Sequence, residues 1–421
     1  MGKNWLVISY FANIDAMAPA HHIDDRLPSF RKEGIEVRLL SSPCGVRCKN
    51  VVHTRILSPA PSGIRYEVRY FLRRKTRRKF WFKFWETLLL LPVYPFYFLE
   101  KIFLRLDSTW SWFITASAAA VVMALRYRPA TIYSTGGPVS AHMAAMFAAA
   151  ITGRHYVAEF QDPLFHQYSA PGKFERRFIR RIERLIFSRA DAVVFLTEKA
   201  AENARERYHS GKSFAIYAGA IPQENPRPYT RGGHLTVAHF GSLGGSRHLD
   251  HILSALTVLI SDDPALSGYF RLALYGNIAK TVKRSIELFP YRDTILSYGK
   301  VAREQALESM QGADVLLLIQ NTDDVSFETI PSKVYEYLHT GRPILALVYR
   351  NAELQAMLER MGHIVVQADD AAAIQEGLMT YIGRWKENLL RSSDAKSPYT
   401  VGRAVSRLIE VASGSLPGEK K

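Results

Sequence analysis

Cysteine is nearly absent from this chain: Cys44 and Cys48 are the only two among 421 residues. That count excludes a disulfide framework, and a zinc site would need further ligands such as His53, at no recognised spacing. Both cysteines read as free thiols in a reducing cytosol. No convincing metal-ligand cluster occurs elsewhere, so no metal cofactor is expected. Long apolar runs are missing as well. Thr87 to Leu99 is uncharged for thirteen residues and contains Pro92 and Pro95, short of the ~20 residues a spanning helix needs. Ser108 to Leu125 extends to eighteen, but alanine and serine dominate it, which predicts a buried helix, a transmembrane span being the alternative. The start, Met1 to Tyr10, carries one lysine and is followed by Asn13 and Asp15, so it reads as a first buried strand rather than a signal peptide.

Acidic residues are also scarce, 39 against 55 Lys plus Arg, leaving a net charge of +16. Such an excess implies an anionic partner. Half of it sits in one place: Arg65 to Arg105 holds eleven basic and three acidic residues, a net of +8. What is present otherwise is ordinary. Hydrophobic residues at 48% and charged residues at 22% exclude a largely disordered or low-complexity chain. At ~150 residues per domain the length suggests two or three domains.

The first half alternates strand-like and helical stretches: Trp5–Tyr10, a helix ending near Gly34, Glu36–Leu40, a long insertion at 65–125, Thr131–Ser134, a helix from Ser140, His155–Phe160 and Ala192–Thr197. A proline-bearing stretch then marks a linker at 221–233. A second series follows through Leu235–Phe240, Phe270–Tyr275, Thr294–Tyr298, Val315–Ile319, Ile344–Val348 and Ile364–Gln367, each strand but the last followed by a helix. This is the pattern of two parallel sheets covered on both faces. The predicted boundaries are an N-terminal domain 1–220, a C-terminal domain 234–385, and a helical tail 386–421 able to pack back on the first domain. Ligands of such sheets bind beyond the carboxyl ends of the strands.

The sharpest local signal runs from Phe327 to Leu345. Pro331 suits a first helical turn, Gly341 the C′ position, and Pro343 prevents continuation. Lys333 falls in the first turn, Glu336 one turn later, and Glu328 in the loop ahead. A helix start carrying a lysine can seat a diphosphate; an ordinary capped helix with a solvated Lys/Glu pair is the alternative. Leu235 to Leu249 reads as strand, glycine-rich turn and helix, where Gly241, Gly244 and Gly245 would let backbone amides approach a phosphate and Arg247 would add charge. The spacing is not G-x-G-x-x-G, and a mere turn is the alternative.

Together these two segments resemble the retaining glycosyltransferases of family 4. Glu328 and Glu336 form the E-x7-E pattern leading into Gly341-Arg-Pro-Ile-Leu, Gly241-Ser-Leu-Gly-Gly is similar to the phosphate loop, and Ala313-Asp-Val-Leu-Leu-Leu to a characteristic strand. Ser134 to His142, Glu159-Phe-Gln-Asp-Pro and Ala190 to Thr197 extend the resemblance through the first half, sparing 65–125. The resemblance implies a GT-B architecture, with two Rossmann-like doubly wound α/β domains facing a central cleft. It implies a hexosyl- or related transferase of the EC 2.4 class that retains anomeric configuration and uses a nucleotide sugar, a UDP-sugar being favoured, as co-substrate. By position, Glu336 would hold the ribose hydroxyls, Glu328 would lie against the transferred sugar, Lys333 and Arg247 would neutralise the diphosphate, and the Gly299-Lys300-Val301 turn would contact the base. Where the family carries an Arg/Lys pair in the phosphate loop this chain has Ser242 and Arg247; Glu328-Thr-Ile replaces Glu-Phe-Gly; and Ala18-Pro-Ala-His-His stands where a glycine pair is usual.

On the acceptor side, Asp162 just past a strand end can orient or deprotonate a hydroxyl, or simply make an Asx turn before Pro163. Ser140 and His142, at a helix start, are candidate acceptor contacts, with an ordinary capped helix start as the alternative; His21 and His22 read as solvated or packing residues. In the insertion, Arg73, Arg74, Arg77 and Arg78 precede Trp81 and Trp85 in a dense aromatic cluster. Nucleic acid would use such residues for phosphates and stacking, but the adjoining Leu88-to-Leu99 stretch favours an anionic membrane surface, with an oligomer interface as the alternative. The combined expectation is a peripheral enzyme on the cytoplasmic face of the cell membrane. Its acceptor would be a lipid-linked, polyprenyl-diphosphate-bound saccharide in surface polysaccharide synthesis, and nucleic acid is not a partner. A nucleotide-sugar epimerase of the same fold and a non-enzymatic membrane-docking protein are the competing readings.

Overall fold

The computed structural model describes residues 4–15, 17–76, 78–104, 106–164, 173–223, 227–391 and 396–414, without the side chains of 173–176. Arg77 and Arg105 of the basic segment, part of the expected linker (224–226) and parts of the tail lie outside the described residues. Two compact units emerge: Met1–Tyr217 with Val401–Lys421, and Ala218–Thr400.

The first unit is built on strands β1 (Asn4–Ile8), β2 (Glu36–Ser41), β3 (Val52–Arg55), β4 (Thr131–Gly136), β5 (His155–Phe160), β6 (Ala192–Phe195) and β7 (Ser213–Ala215), all parallel, in the order β3-β2-β1-β4-β5-β6-β7. Its helices are α1 (Ala18–Lys32), α2 (Pro61–Lys75), α3 (Lys79–Leu90), α4 (Tyr94–Phe103), α5 (Trp112–Tyr127), α6 (Val139–Thr152), α7 (Lys173–Arg189) and α8 (Glu198–Tyr208). Successive side chains of a strand point to opposite faces, and β1 uses both. Leu6 and Ile8 share a core with Trp112, Ala116 and Ala120 of α5 and Ala141, Ala144 and Ala145 of α6. Trp5 and Val7 share another with Ile23 and Phe30 of α1. Small residues let α5 and α6 approach the sheet closely.

The second unit carries β8 (Leu235–Phe240), β9 (Phe270–Tyr275), β10 (Ile295–Gly299), β11 (Val315–Ile319), β12 (Ile344–Val348) and β13 (Ile364–Gln367), parallel in the order β10-β9-β8-β11-β12-β13. Between them run α9 (Asp250–Asp262), α10 (Leu266–Tyr269), α11 (Lys280–Leu288), α12 (Arg303–Gly312), α13 (Lys333–Leu338) and α14 (Ala352–Glu359), and α15 (Ala371–Lys386) follows β13. Leu235, Val237, Val315, Leu317 and Ile319 bury one face under α9 and α15 through Leu256, Ile260, Leu378 and Tyr381. A final helix, α16 (Val401–Ser413), returns to the first unit, where Val405 and Leu408 join the core of Trp5, Ile23 and Phe30.

Several expectations change. The last strand, β13, does have its helix, α15, capped by Asp370 accepting from the Ala372 and Ala373 amides, both at 3.0 Å. The edge strands β3 and β7 were not anticipated. The stretch Ser108–Leu125 forms most of α5, but only one side is buried, while Ile114, Val122 and Leu125 are exposed. The helix expected between Pro331 and Gly341 is α13, six residues that end at Leu338. Gly341 adopts a left-handed φ of 69° in the turn beyond His339, the C-cap.

Within the insertion, two buried carboxylates fasten the α2–α4 segment. Glu67 of α2 accepts from the Tyr10 hydroxyl (3.1 Å) and the Ser58 hydroxyl (2.6 Å); burial raises its pKa above the usual range, although its Ser58 and Tyr10 hydrogen bonds oppose the rise. Glu100 of α4 accepts from the Ser62 amide (2.8 Å) and the Trp110 indole (2.7 Å). Arg69 and Glu86 pair at 3.0 Å, joining α2 to α3. Among the described residues no helix is long and apolar enough to cross a membrane.

Candidate functional site

In the second sheet the chain runs from β8 to its β9 side and from β11 to its β12 side, so the switch point lies between β8 and β11, the place where such sheets bind ligands. The loops leaving these two strands carry the residues singled out by sequence. After β8, Gly241 (φ 154°), Gly244 (φ 148°) and Gly245 (φ 64°) take conformations that favour glycine. The loop is closed on the protein: the amides of Gly241, Leu243 and Gly244 donate to Tyr275 O (2.8 Å), Asn277 O (2.9 Å) and Arg247 O (2.9 Å). Those amides are therefore already used, which departs from the expectation that Gly241 and Gly244 present theirs to a phosphate. Arg247 packs against the loop, its Nη1 donating to Ser242 O at 3.2 Å. A Cβ on Gly276 would lie 2.0 Å from Gly241 O, so glycine is required there.

After β11, Gln320 and Asn351 hold the turn that carries Glu328. The Gln320 side-chain amide donates to Ser326 O (2.6 Å) and Thr329 O (3.0 Å), and that of Asn351 to the same two carbonyls (2.6 and 2.9 Å). Glu328 ends a single 3-10 turn, Ser326–Glu328, and is buried. Eight residues on, Glu336 is held between two cations: Lys333 Nζ at 2.8 Å from one oxygen and Arg303 Nη2 at 3.2 Å from the other. Lys333 opens α13, whose Ser332 N-cap makes no side-chain hydrogen bond. A helix of six residues has little dipole to offer an anion, so the cationic character here comes from side chains. Arg303 starts α12, two residues after Val301, just past the left-handed Gly299 (φ 68°). Stacked rings of Phe240, Tyr275 and Tyr298, at centroid separations of 4.5 and 4.6 Å, tie β8, β9 and β10 together below that turn.

The structure thus brings Arg303, Lys333 and Glu336 into one cluster, and Arg247 and Lys333 both act electrostatically on the buried His239 of β8. Arg303, His239, Gln320 and Asn351 were not singled out in the sequence. Arg303 lies thirty-three positions from its partner, and no local spacing could mark it.

The first sheet has its switch point between β1 and β4. The expected acceptor contacts do not line an opening there. Ser140 and His142 are fully buried. His142 Nε2 donates to Gly136 O (3.2 Å), so its Nδ1 accepts from the Ser134 hydroxyl (2.8 Å). Asp162 is exposed two residues past β5. A cluster that sequence reasoning missed lies alongside: Glu159 of β5, fully buried, pairs with both His22 and Arg26 of α1. Thr135 Oγ1 donates to Glu159 at 3.1 Å, and Arg26 donates to the Tyr133 hydroxyl at 2.8 Å. Burial pushes the Glu159 pKa up, but the charge of Arg26 and the contact with His22 outweigh it and hold the carboxyl well below its usual range. Among the described residues no group of three or more His, Cys, Asp or Glu side chains could hold a metal ion.

Burial lowers His142 to about 4, with a consequence for stability. The unfolded chain binds a proton at ~6.5 that the folded chain refuses until about pH 4, so stability is full above ~6.5 and falls with pH to that value, by about 3 kcal/mol for this group. Urea midpoints of the wild type should fall from about pH 7 to pH 4.5, and those of His142→Gln should fall less; equal slopes would show that the imidazole is not the titrating group.

In the insertion, α3 and α4 turn apolar side chains outward: Phe80 is 73% and Phe103 78% exposed, and Trp81, Phe84, Trp85, Leu88, Phe96 and Phe98 are exposed as well. Arg73, Arg74 and Arg78 are exposed beside them, whereas Tyr94 and Tyr97 are half-buried.

Residues 29–211 match the model of the glycosyl transferase 4-like domain. No curated protein is recognisably similar in sequence. Among solved structures, the lipopolysaccharide outer core galactosyltransferase WaaB is similar over 98% of this chain and all of its own, with 10% identity and a TM-score of 0.57. HepE of Anabaena, solved in complex with UDP-glucose, is similar over 98% of this chain and 99% of its own, at 12% identity and a TM-score of 0.62. A protein of Listeria monocytogenes assigned as a UDP-N-acetylglucosamine 2-epimerase is similar over 99% and 98%, at 10% identity and a TM-score of 0.56. The fold is therefore α/β with two Rossmann-like units, the composition of GT-B glycosyltransferases.

Proposed function

We propose that this chain is a sugar-nucleotide-dependent glycosyltransferase of EC class 2.4 that retains anomeric configuration, with the donor bound by the second unit. The observation that carries the reading is Glu336, held between Arg303 and Lys333 at the switch point of the second sheet. A carboxylate kept in place by two cations accepts from a vicinal diol, as a ribose presents, while the cations remain close to the diphosphate of the same ligand. Glu328, buried in a turn fixed by Gln320 and Asn351, is assigned to the transferred sugar. Arg247 and Lys333 stabilise the charge that develops on the nucleoside diphosphate as the bond from the anomeric carbon to its oxygen breaks. Gly241, Gly244 and Gly245 shape the loop around that diphosphate, and Val301 marks the turn facing the base. UDP is the favoured nucleotide, in keeping with the UDP-glucose bound by HepE. No metal is assigned a role.

The first unit is assigned the acceptor, with Asp162 orienting or deprotonating the attacking hydroxyl. His142 then acts from beneath, by tying the start of α6 to Gly136 O and Ser134, with Ser140 buried beside it. The acceptor is a lipid-linked saccharide reached from the cytoplasmic membrane face, in surface polysaccharide synthesis. This assignment is supported by the exposed aromatic surface of α3 and α4 beside Arg73, Arg74 and Arg78, which suits an in-plane interfacial helix pair.

Glu336→Ala should weaken nucleotide-sugar binding about 10- to 100-fold, the value of losing hydrogen bonds to a charged group. Glu328→Ala should lower kcat by a similar factor with little change in binding. Calorimetry against UDP-, GDP- and dTDP-sugars, with mass spectrometry of products, checks both. Full transfer by both variants would refute the assigned site. An epimerase is the second reading, favoured by the fold shared with the Listeria protein; conversion of a free nucleotide sugar without any acceptor would decide for it.

A further inference from the structure

His239 lies one residue before the end of β8, directly under the glycine loop, and is 3% exposed. Its Nδ1 is 3.0 Å from Leu317 O. A carbonyl only accepts, so Nδ1 carries the proton and Nε2 of the neutral ring has only a lone pair. That Nε2 is buried and has no hydrogen-bond partner among the described residues; the same holds for Arg247 Nε. Buried polar atoms in native proteins are nearly always satisfied, so two such nitrogens at one loop point to a missing partner. The geometry shows where it would sit. A Cβ placed on Gly241 would be 3.3 Å from His239 Nε2 and 4.0 Å from Arg247 Nη1. His239 Nε2 and the Arg247 guanidinium, through Nη1, therefore border the small volume that the absent side chain leaves open. Arg247 and Lys333 each bear on the imidazole electrostatically. Beyond them, the Tyr337 hydroxyl accepts from the Phe240 amide at 2.9 Å, and Tyr337 and Asp323 face Arg247. A site with two cations, a concealed imidazole and a glycine opening calls for an anion.

We propose that His239 is a further diphosphate-binding residue of the donor site, its Nε2 donating to a diphosphate oxygen beside Arg247 when a nucleotide sugar binds. The inference rests on the donor-site reading above. Because Nδ1 is committed to Leu317 O, donation from Nε2 requires the imidazolium. In the free protein burial first, and then Arg247 and Lys333, keep the ring neutral, with a pKa of about 4, against the pull of Leu317 O. A bound diphosphate offsets the two cations and raises that value. Binding accordingly takes up a proton, and affinity rises as pH falls through the window between the bound value and about 4.

The test is calorimetry of wild type, His239→Gln and His239→Phe with UDP-glucose, GDP-mannose and dTDP-glucose at about pH 6, below the ordinary histidine value, in two buffers of different ionisation enthalpy. The diphosphate diesters of these sugars do not titrate near that pH, so any proton exchanged belongs to the protein. Wild type should take up a substantial fraction of one proton per ligand. His239→Gln, which keeps a donor without a titrating group, should bind within a few-fold and take up none. His239→Phe should bind about tenfold or more weakly, an order-of-magnitude loss in Kd, and also take up none. Equal affinity and equal proton uptake in wild type and both variants would overturn the proposal. Binding of none of the three sugars to wild type would instead remove the donor-site reading itself.

Discussion

Replacing Glu159 with alanine is expected to cost the first unit about 3–5 kcal/mol, the usual penalty for leaving a buried charge without its partner. Arg26 is 1% exposed, and the His22 side chain 9%. Removing the carboxylate would strand the guanidinium between the sheet and α1, next to Tyr133 and far from water. The urea midpoint, followed by far-UV circular dichroism, should drop steeply. A control at the surface pair of Arg38 with Glu36, whose carboxylate is 60% exposed, should change by less than ~1 kcal/mol. The double variant Arg26→Met with Glu159→Leu should recover much of the loss, since it removes both charges and retains volume. An unchanged midpoint in Glu159→Ala would mean that Arg26 finds its compensation elsewhere. The pH behaviour follows from the depressed carboxyl: the stability it supplies is fully present above ~4.3, its unfolded value, and is lost as pH falls through the lower folded value.

Changing Arg73, Arg74, Arg77 and Arg78 together to serine should reduce partition onto anionic vesicles by about 4 kcal/mol, near a thousandfold, at ~1 kcal/mol per basic residue at such a surface. Flotation with phosphatidylserine-containing liposomes measures it. Wild-type recovery should also fall as salt rises, because the Debye length is only ~8 Å at physiological strength. Trp81→Ser with Trp85→Ser should lose binding that salt does not modulate, since aromatic anchoring at the interface is not a charge effect. No flotation of the wild type, or equal recovery of all proteins, would remove the argument for a lipid-linked acceptor and leave these helices to an oligomer.

The second sheet was almost fully legible, and the reason is physical. Strands such as Val315–Ile319 and Ile344–Val348 are continuous apolar runs because both faces are covered. The missed β3, read as Val-His-Thr-Arg, and β7, Ser-Phe-Ala, are short edge strands; an edge has one neighbour and needs little apolar character. The residues proposed for the donor, Glu328, Lys333 and Glu336, were visible because their spacing is local. Arg303, His239 and the Glu159 cluster were not, since each acquires meaning only from a residue far along the chain. Glu159 reads as one polar letter in a strand, and nothing near it announces Arg26, 133 positions away.

The return of α16 to the first unit bears on how the chain is made. Val401, Val405, Leu408 and Val411 belong to the same core as Trp5 and Phe30, yet the whole of the second unit lies between them in the chain. During synthesis the first unit emerges first, and the surface that α16 will cover stays open until the very late residues appear. The second unit is contiguous and closes before it. The first unit is therefore complete only once α16 has been made, and released chains truncated before Val401 should hold the whole second unit together with a first unit whose core is open and aggregation-prone.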